Sequence, residues 1–209
     1  MKDWKNEIDK LEITTNKSNS YKLELVNHQI GYIGWCIGME KYEEAKKYLK
    51  LSSSHIKELK EKKFKPSYVK SYKGSIDGLK IGINNLYAIL LGPGIISKAK
   101  SSIKLDNNNP YGYILLGNSK YYMWAMLGGS KDEAVRYYKI AEKIIENGQK
   151  TDHNWNYLSL LTMIAHANVE MGNYSEANLY YKKILQIEPN YKWIKEEIYP
   201  KFINKHGKK

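Results

Sequence analysis

Apolar residues recur at the spacing of an α-helix along almost the whole chain, and this period constrains the fold more than any other feature. Between Tyr174 and Ile187 they return every three or four residues, with Asn, Lys and Glu between them. Sequence runs that alternate as a half-buried strand does are not found. Clusters of glycine, proline and asparagine separate the helical stretches, and no low-complexity linker divides the chain. The sequence therefore predicts one all-α domain over residues 1–209.

The helix-breaking residues give further local predictions. The triplet Gly92-Pro93-Gly94 is expected to end a long helix, because proline removes a backbone donor and clashes with the preceding turn. Residues 111–127 are expected to form one extended helix. Gly31, Gly34 and Gly38 do not have the spacing of a phosphate-binding loop. Close approach of a neighbouring helix is the expected reason for these three glycines.

The C-terminal third contains a 34-residue pattern, LSLLTMIAHANVEMGNYSEANLYYKKILQIEPNY, over residues 158–191. It resembles a tetratricopeptide repeat, which is a helix–turn–helix unit. Ala165 and Ala177 occupy the small positions where the two helices approach, Gly172 lies in the turn, and Pro189 ends the second helix. Asn168 departs from the pattern, which usually has tyrosine there. Less regular copies occur earlier, so the predicted units are 26–59, 76–109, 115–148 and 158–191.

A more specific resemblance rests on the order of several segments, which read GYIGWCIG, LLGPG, IKLDNNNP and LGGSKDEAVRYYKIAEKIIE. This order is similar to a largely uncharacterised family of tetratricopeptide-repeat proteins common in Bacteroidetes. Its members carry an F-G-G-S/G-K-x-x-A turn where this chain has residues 127–134. The resemblance implies a helical repeat fold and carries over no catalytic residue. We therefore predict a right-handed α-solenoid of about four helix pairs, with a capping helix over residues 2–14 and a capping segment over residues 194–202.

The net charge of +12 would suit a nucleic-acid-binding protein, but the kind of basic residue argues against that function. Among 34 basic residues Arg136 is the single arginine, whereas proteins that grip phosphates usually use the planar arginine fork. The lysines are spread over both halves of the chain, apart from a cluster over residues 57–65. A solvated lysine-rich surface is the expected explanation. Salt-sensitive binding through Lys57, Lys60, Lys62 and Lys63 is the alternative.

The sequence contains no pattern typical of an enzyme, a cofactor site or a metal centre. The five histidines form no zinc motif, and His166 with Glu170 on one helix face would supply only two metal ligands. Cys36 lies in an apolar helix and is expected to be a buried thiol. Neither a Ser/His/Asp arrangement nor a pair of carboxylates suggests catalysis. We therefore predict a non-enzymatic protein without cofactor or metal.

Tetratricopeptide repeats bind partners along the concave face of their first helices, and that face defines the candidate site here. The positions that line it hold polar, aromatic and methionine side chains, namely Asp77, Lys80, Asn84, Tyr87, Ser119, Met123, Met126, Thr162, His166 and Glu170. Such a mixture suits an extended peptide or a helix of a partner protein. The alternative is that the face holds water or packs against the chain's own N-terminal helix. Lys80 and Asn84 match the start of the carboxylate clamp of chaperone-binding repeats, but the remaining clamp residues are missing.

Protein–protein interaction or scaffolding is the function that the resemblance implies. The alternative is a periplasmic ligand-binding, envelope-associated or transport-associated component. The longest apolar stretches, 30–39 and 86–96, are too short to cross a bilayer, so we expect no membrane insertion, and homo-oligomerisation stays open. The start of the chain has no apolar signal core. As written the chain is expected in the cytoplasm, or in the periplasm or outside the cell if an upstream signal peptide has been removed.

Overall fold

The computed structural model describes residues 2–148, 151 and 154–207, and in this part of the chain every regular element is helical. The ten α-helices are α1 (Lys2–Ile13), α2 (Asn19–Gly38), α3 (Tyr42–Glu61), α4 (Pro66–Ile83), α5 (Tyr87–Leu105), α6 (Pro110–Tyr122), α7 (Lys131–Gly148), α8 (Trp155–Glu170), α9 (Tyr174–Ile187) and α10 (Tyr199–His206). Consecutive helices pack side by side, α2 on α3, α4 on α5 and α8 on α9. The prediction of an all-α fold built from adjacent helix pairs is confirmed. None of the described helices is both long and apolar enough to cross a membrane.

The helices form two compact units, which divide between Leu115 and Leu116. That the chain acts as one domain stays a prediction, and the two units are described one at a time. In the first unit, α1 caps the α2–α3 pair as predicted. Its Ile8 is fully buried in the core, and Trp4 packs edge-on against the Tyr32 ring at a centroid distance of 6.1 Å.

Tyrosine takes the place of phenylalanine in both cores, and the chain has 19 Tyr against 2 Phe. A buried phenol needs a partner for its hydroxyl, and neighbouring carboxylates supply it. The hydroxyls donate to carboxylate oxygens at 2.6–3.0 Å in the pairs Tyr32–Glu44, Tyr48–Asp9, Tyr157–Glu146 and Tyr180–Glu142. The aromatic rings therefore fill the space between helices, while their polar ends link one helix to another.

In the second unit, α8 and α9 form the helix pair of residues 158–191. Ala165 and Ala177 are fully buried, as their small size at the helix crossing requires. Gly172 has a φ of +79°, which favours glycine in the turn. Asn168, the departure from the usual pattern, is buried, and its side chain donates to the Ile164 carbonyl at 2.9 Å. The asparagine thus satisfies a backbone carbonyl where a tyrosine would fill space.

The C-terminal end of the second unit caps this pair, as the sequence predicts. A π-helical turn, Trp193–Ile198, leads directly into α10. Ile194 and Phe202 are buried, and the Phe202 ring lies 5.1 Å from the Tyr181 ring of α9, measured between centroids. This segment therefore covers the apolar face that α9 would otherwise expose.

Two local predictions are wrong. Helix α5 runs through Gly92-Pro93-Gly94 without ending. Pro93 lies in the second turn of α5, and the carbonyl that loses its amide partner there belongs to the exposed start of the helix, where water can bind it. Gly34 and Gly38 do not mark a close helix approach, since a Cβ atom at either position would meet nothing within 4 Å. The closest helix approach at a glycine of the second unit occurs instead at Gly117 of α6, which lies against the Tyr138 ring of α7.

Candidate binding site

The first four predicted site residues lie on α4 and at the start of α5. Asp77 is 3% exposed, and its carboxylate contacts the Nζ atoms of Lys73 at 2.7 Å, Lys98 at 3.3 Å and Lys80 at 3.8 Å. Three ammonium groups therefore surround the buried Asp77 carboxylate, so Asp77 does not present a free acidic group to a partner. Asn84 follows α4 and accepts a hydrogen bond from the Leu86 amide, whereas Tyr87 is exposed.

The turn between α6 and α7 determines the shape of the candidate site in the second unit. The predicted helix over 111–127 is wrong, because α6 ends at Tyr122 and residues Ala125–Leu127 form a single 3-10 turn. Gly128 has a φ of +93°. A Cβ atom on Gly129 would lie 1.9 Å from the carbonyl oxygen of Met123. Both glycines are therefore required by the turn, the first for its backbone conformation and the second for close approach of the backbone.

Hydrogen bonds to backbone carbonyls hold this turn together. The amides of Gly128 and Gly129 donate to the carbonyls of Ala125 and Trp124 at 2.9 and 3.0 Å. The ammonium group of Lys120 donates to the Gly128 carbonyl at 3.0 Å. Because backbone atoms and one lysine form these bonds, the side chains at the top of the turn are left exposed. They form what we call the turn surface, which consists of Tyr122, Trp124, Met126 and Leu127.

Helix α8 places the remaining predicted residues beside α6. Glu170 accepts hydrogen bonds from the Tyr121 hydroxyl and from Lys131, whose Nζ atom is 2.7 Å from the carboxylate. The same Lys131 ammonium lies 5.0 Å from the centre of the Tyr121 ring. About two turns earlier on α8, the Met163 sulfur is 3.9 Å from the Tyr122 hydroxyl. The first helices of two pairs are thus linked by contacts between side chains.

His166 lies between two aromatic rings on α8. Its ring centroid is 6.1 Å from that of Trp193 and 6.3 Å from that of Tyr181. Thr162, one turn earlier, is buried and donates to the Leu158 carbonyl at 2.8 Å. Ser119 and Met123 are partly buried on and just after α6. Among the six predicted residues of this unit, Met126 and Glu170 are therefore exposed, whereas Ser119, Met123 and His166 are partly buried and Thr162 is buried.

The protonation of the site follows from these contacts. Burial lowers the pKa of His166, and the nearby Glu170 carboxylate offsets this only in part. For Glu170, partial burial by itself raises the pKa, but the hydrogen bonds from Lys131 and Tyr121 outweigh burial, so that the pKa is lowered. At neutral pH the site therefore holds a neutral imidazole and a carboxylate balanced by one ammonium group. No group of three or more potential metal ligands occurs in the described part of the chain, and His153 lies outside it.

Several residues of the site were not predicted from the sequence. Tyr121, Tyr122 and Trp124 supply most of its aromatic surface, and Trp193 comes from the π-helical turn after α9. The repeat pattern assigns positions on the first helix only, so it gives no role to a turn or to a capping segment. The signal that could have found them is the apolar run YYMWAML over 121–127, which is rich in aromatic residues and methionine and directly precedes two glycines.

Comparisons with known proteins agree with this architecture. The family of "Tetratricopeptide repeat" sequences matches residues 158–191, the same span that the sequence pattern predicts. No curated protein matches the chain. Among solved structures, the chain is similar to the HusA haemophore from Porphyromonas gingivalis, with 13% sequence identity and a TM-score of 0.63 over 79% of this chain and 82% of that chain. The chain therefore contains a tetratricopeptide repeat at residues 158–191 and shares a helical fold with a haemophore.

Proposed function

We propose that this chain is a non-catalytic binding protein that holds an extended peptide or a helix of a partner protein on its second unit. The observation that carries the proposal is the turn surface, where Tyr122, Trp124 and Met126 are exposed on a turn that backbone hydrogen bonds hold together. Aromatic rings and thioethers are the side chains that contribute most to binding at protein interfaces. Tetratricopeptide repeats generally mediate contacts between proteins, which agrees with this use.

The neighbouring α8 residues define what the bound segment would meet. Near the turn surface, α8 carries the partly buried His166 and the Glu170 of the Glu170–Lys131 ion pair, which add polar partners to an apolar anchor site. A segment with one or two large apolar side chains and an exposed backbone fits this combination.

Peptides selected against the native chain from a random display library would test the proposal. We expect the double variant Trp124→Ala with Met126→Ala to weaken the selected peptides by about 30-fold or more, since truncating an anchor commonly costs ~2 kcal/mol. Leu179→Ala is the matched control, because Leu179 is an exposed apolar residue of α9 away from the turn. Tyr87→Ala with Met123→Ala tests the sequence-derived anchors in the same assay.

Binding should also persist at moderate salt, because it depends on apolar anchors. Peptides that bind the Trp124/Met126 variant as tightly as the native chain would contradict the proposal. Release on neutralising Lys57, Lys60, Lys62 and Lys63, together with a steep salt dependence, would favour the electrostatic alternative.

A second candidate function is the binding of an apolar ligand in the periplasm or outside the cell. It is favoured by the fold shared with a haemophore over most of both chains and by the presence of Met163 and His166, which are residue types that can ligate haem iron. A haemin titration followed by absorption spectroscopy tests it. A saturable Soret shift that is lost in His166→Ala would support this function, and an unchanged spectrum would contradict it. A signal peptide encoded upstream in the gene would indicate that the chain is exported rather than cytoplasmic.

A further inference from the structure

The turn between α4 and α5, together with the first turn of α5, carries three strongly exposed large apolar residues of the first unit. Leu86, Ile89 and Leu90 are 78%, 91% and 77% exposed, and Tyr87 and Ala88 between them are exposed as well. We call residues 84–91 the α4–α5 tip. Soluble monomers rarely expose a contiguous apolar patch of this kind without a binding role. The apolar stretch over residues 86–96 is too short to span a bilayer, and peptide binding at the turn surface uses none of its residues.

The apolar side chains surround the tip on all sides. Successive residues of a helix point about 100° apart, so the five consecutive exposed residues from Leu86 to Leu90 cover its full circumference. A helix that binds in a protein groove buries a single stripe, with apolar residues three and four positions apart. An environment that is apolar on all sides of the tip matches this arrangement. A protein groove would cover one side of the tip and leave the apolar side chains on the other side in water.

Backbone amides at the start of the tip already have hydrogen-bond acceptors within the protein. The amide of Leu86 donates to the Asn84 side-chain oxygen at 3.1 Å, the amide of Tyr87 donates to the Asn84 carbonyl at 3.1 Å, and that of Ala88 donates to the Asn85 carbonyl at 2.9 Å. The first amides of a helix normally have no partner within the helix, and an unsatisfied amide is costly in lipid. Here the turn supplies acceptors for the first two amides of α5, those of Tyr87 and Ala88.

Positive charge lies directly behind the tip. Residues 78–105 contain four lysines and no Asp or Glu. Around Asp77, three lysines face one carboxylate, which leaves a net charge of +2. Lys80 is one turn before the end of α4, and Lys98 is eight residues beyond Leu90, or about 12 Å along α5. Interfacial helices place apolar residues 5–10 Å below the headgroups, so these ammonium groups would lie near the headgroup level when the tip is immersed.

We propose that the α4–α5 tip docks on an anionic lipid surface. The apolar circumference enters the interface, and the lysines around Asp77 contact the headgroups, which attract basic residues electrostatically. A second copy of the chain fits less well, because both tips would bring net positive charge together on chains of charge +12. The contact is peripheral and differs from a membrane span.

The experiment uses the full chain with a single environment-sensitive label. Cys36 is fully buried, so the Ile89→Cys variant can be labelled with NBD at position 89. We expect its emission to rise and shift to the blue with phosphatidylcholine vesicles that contain phosphatidylglycerol. Leu179→Cys on α9 is the matched control and should not respond. Replacing Leu86, Ile89 and Leu90 by serine should weaken vesicle flotation of the unlabelled chain by about tenfold or more.

Each result has a defined meaning. Equal responses of the labels at positions 89 and 179, or no response at position 89 with anionic vesicles, would overturn the proposal. If the chain binds purely zwitterionic vesicles as strongly as anionic ones, the lysines do not contribute to binding and the proposal is overturned. Light scattering that shows a dimer, dissociated by the triple serine variant, would assign the tip to a second copy instead. Peptide binding to the turn surface is measured separately, so the two proposals can fail independently.

Discussion

Glycine 117 on α6 offers a test of helix packing in which the same substitution is expected to have opposite effects at two sites. A Cβ atom at Gly117 would lie 2.4 Å from Cε1 and 2.6 Å from Cδ1 of Tyr138. Tyr138 is fully buried, and its hydroxyl donates to Asn118 at 2.8 Å, so the ring has no space into which to move. At Gly34 on α2, which is exposed, the added Cβ atom would meet nothing within 4 Å.

The expected magnitudes follow from these distances. Ordinary contact begins at 3.4 Å, so the overlap at Gly117 is 3.4 − 2.4 = 1.0 Å against a rigid ring. Overpacking of this kind typically costs about 1–3 kcal/mol, and the better helix propensity of alanine returns at most about 1 kcal/mol. Gly117→Ala should therefore lower the free energy of unfolding by up to about 2 kcal/mol. Gly34→Ala should raise it by about 0.5–1 kcal/mol.

Urea unfolding followed by circular dichroism and tryptophan fluorescence measures both effects. The Tyr138→Leu variant lacks the ring that the added Cβ atom would overlap. In that background Gly117→Ala should lower the free energy of unfolding much less than in the native chain, and the difference between the two effects should be about 1 kcal/mol or more. An equal cost in both backgrounds would refute the contact as the cause. A Gly117→Ala protein as stable as Gly34→Ala would refute the packing of α6 on α7.

Two other predictions concern the second unit. Ala177→Leu and Ala134→Leu each add methylene groups at fully buried positions, and each should lower the free energy of unfolding in urea by about 1–3 kcal/mol. If neither variant changes the urea midpoint, the two alanines do not lie at close helix crossings. Burial lowers the pKa of His166, so the unfolded chain takes up the proton first and stability should fall as pH drops below about 6.5. In thermal melts from about pH 7 to 5, His166→Gln should show a smaller fall than the native chain, and an equal fall would exclude His166 as its source.

Much of the fold could be predicted because it depends on local pattern. The period of three to four residues gives the helices, and Gly172 together with the buried Ala165 and Ala177 gives the repeat at 158–191. The failures have local physical causes. Pro93 does not end α5, because the carbonyl that loses its amide partner lies at the exposed start of the helix, and the sequence does not show that this part of α5 is exposed. Gly34 looks like a packing glycine in the sequence, although nothing approaches it.

The candidate site was less predictable, because it depends on contacts between distant residues. Asp77 occupies a position that lines the binding face in other repeats, yet three lysines from two helices enclose it. Whether a carboxylate is free or paired depends on which lysines the fold brings near, and Lys98 is 21 positions away in the sequence. Met126 was expected in a helix, but the close approach of Gly129 to the Met123 carbonyl ends α6 early and moves Met126 into the turn.

The α6–α7 turn separates the residues that build it from the residues that it displays. Its conformation depends on Gly128, Gly129 and Lys120, and on backbone carbonyls that any amino acid would provide. The residues at its top, 124–127, are exposed and contribute only their main-chain atoms to its hydrogen bonds. Natural or laboratory evolution could therefore exchange these four side chains and alter recognition while the supporting frame stays the same, much as a hypervariable loop changes on a constant domain.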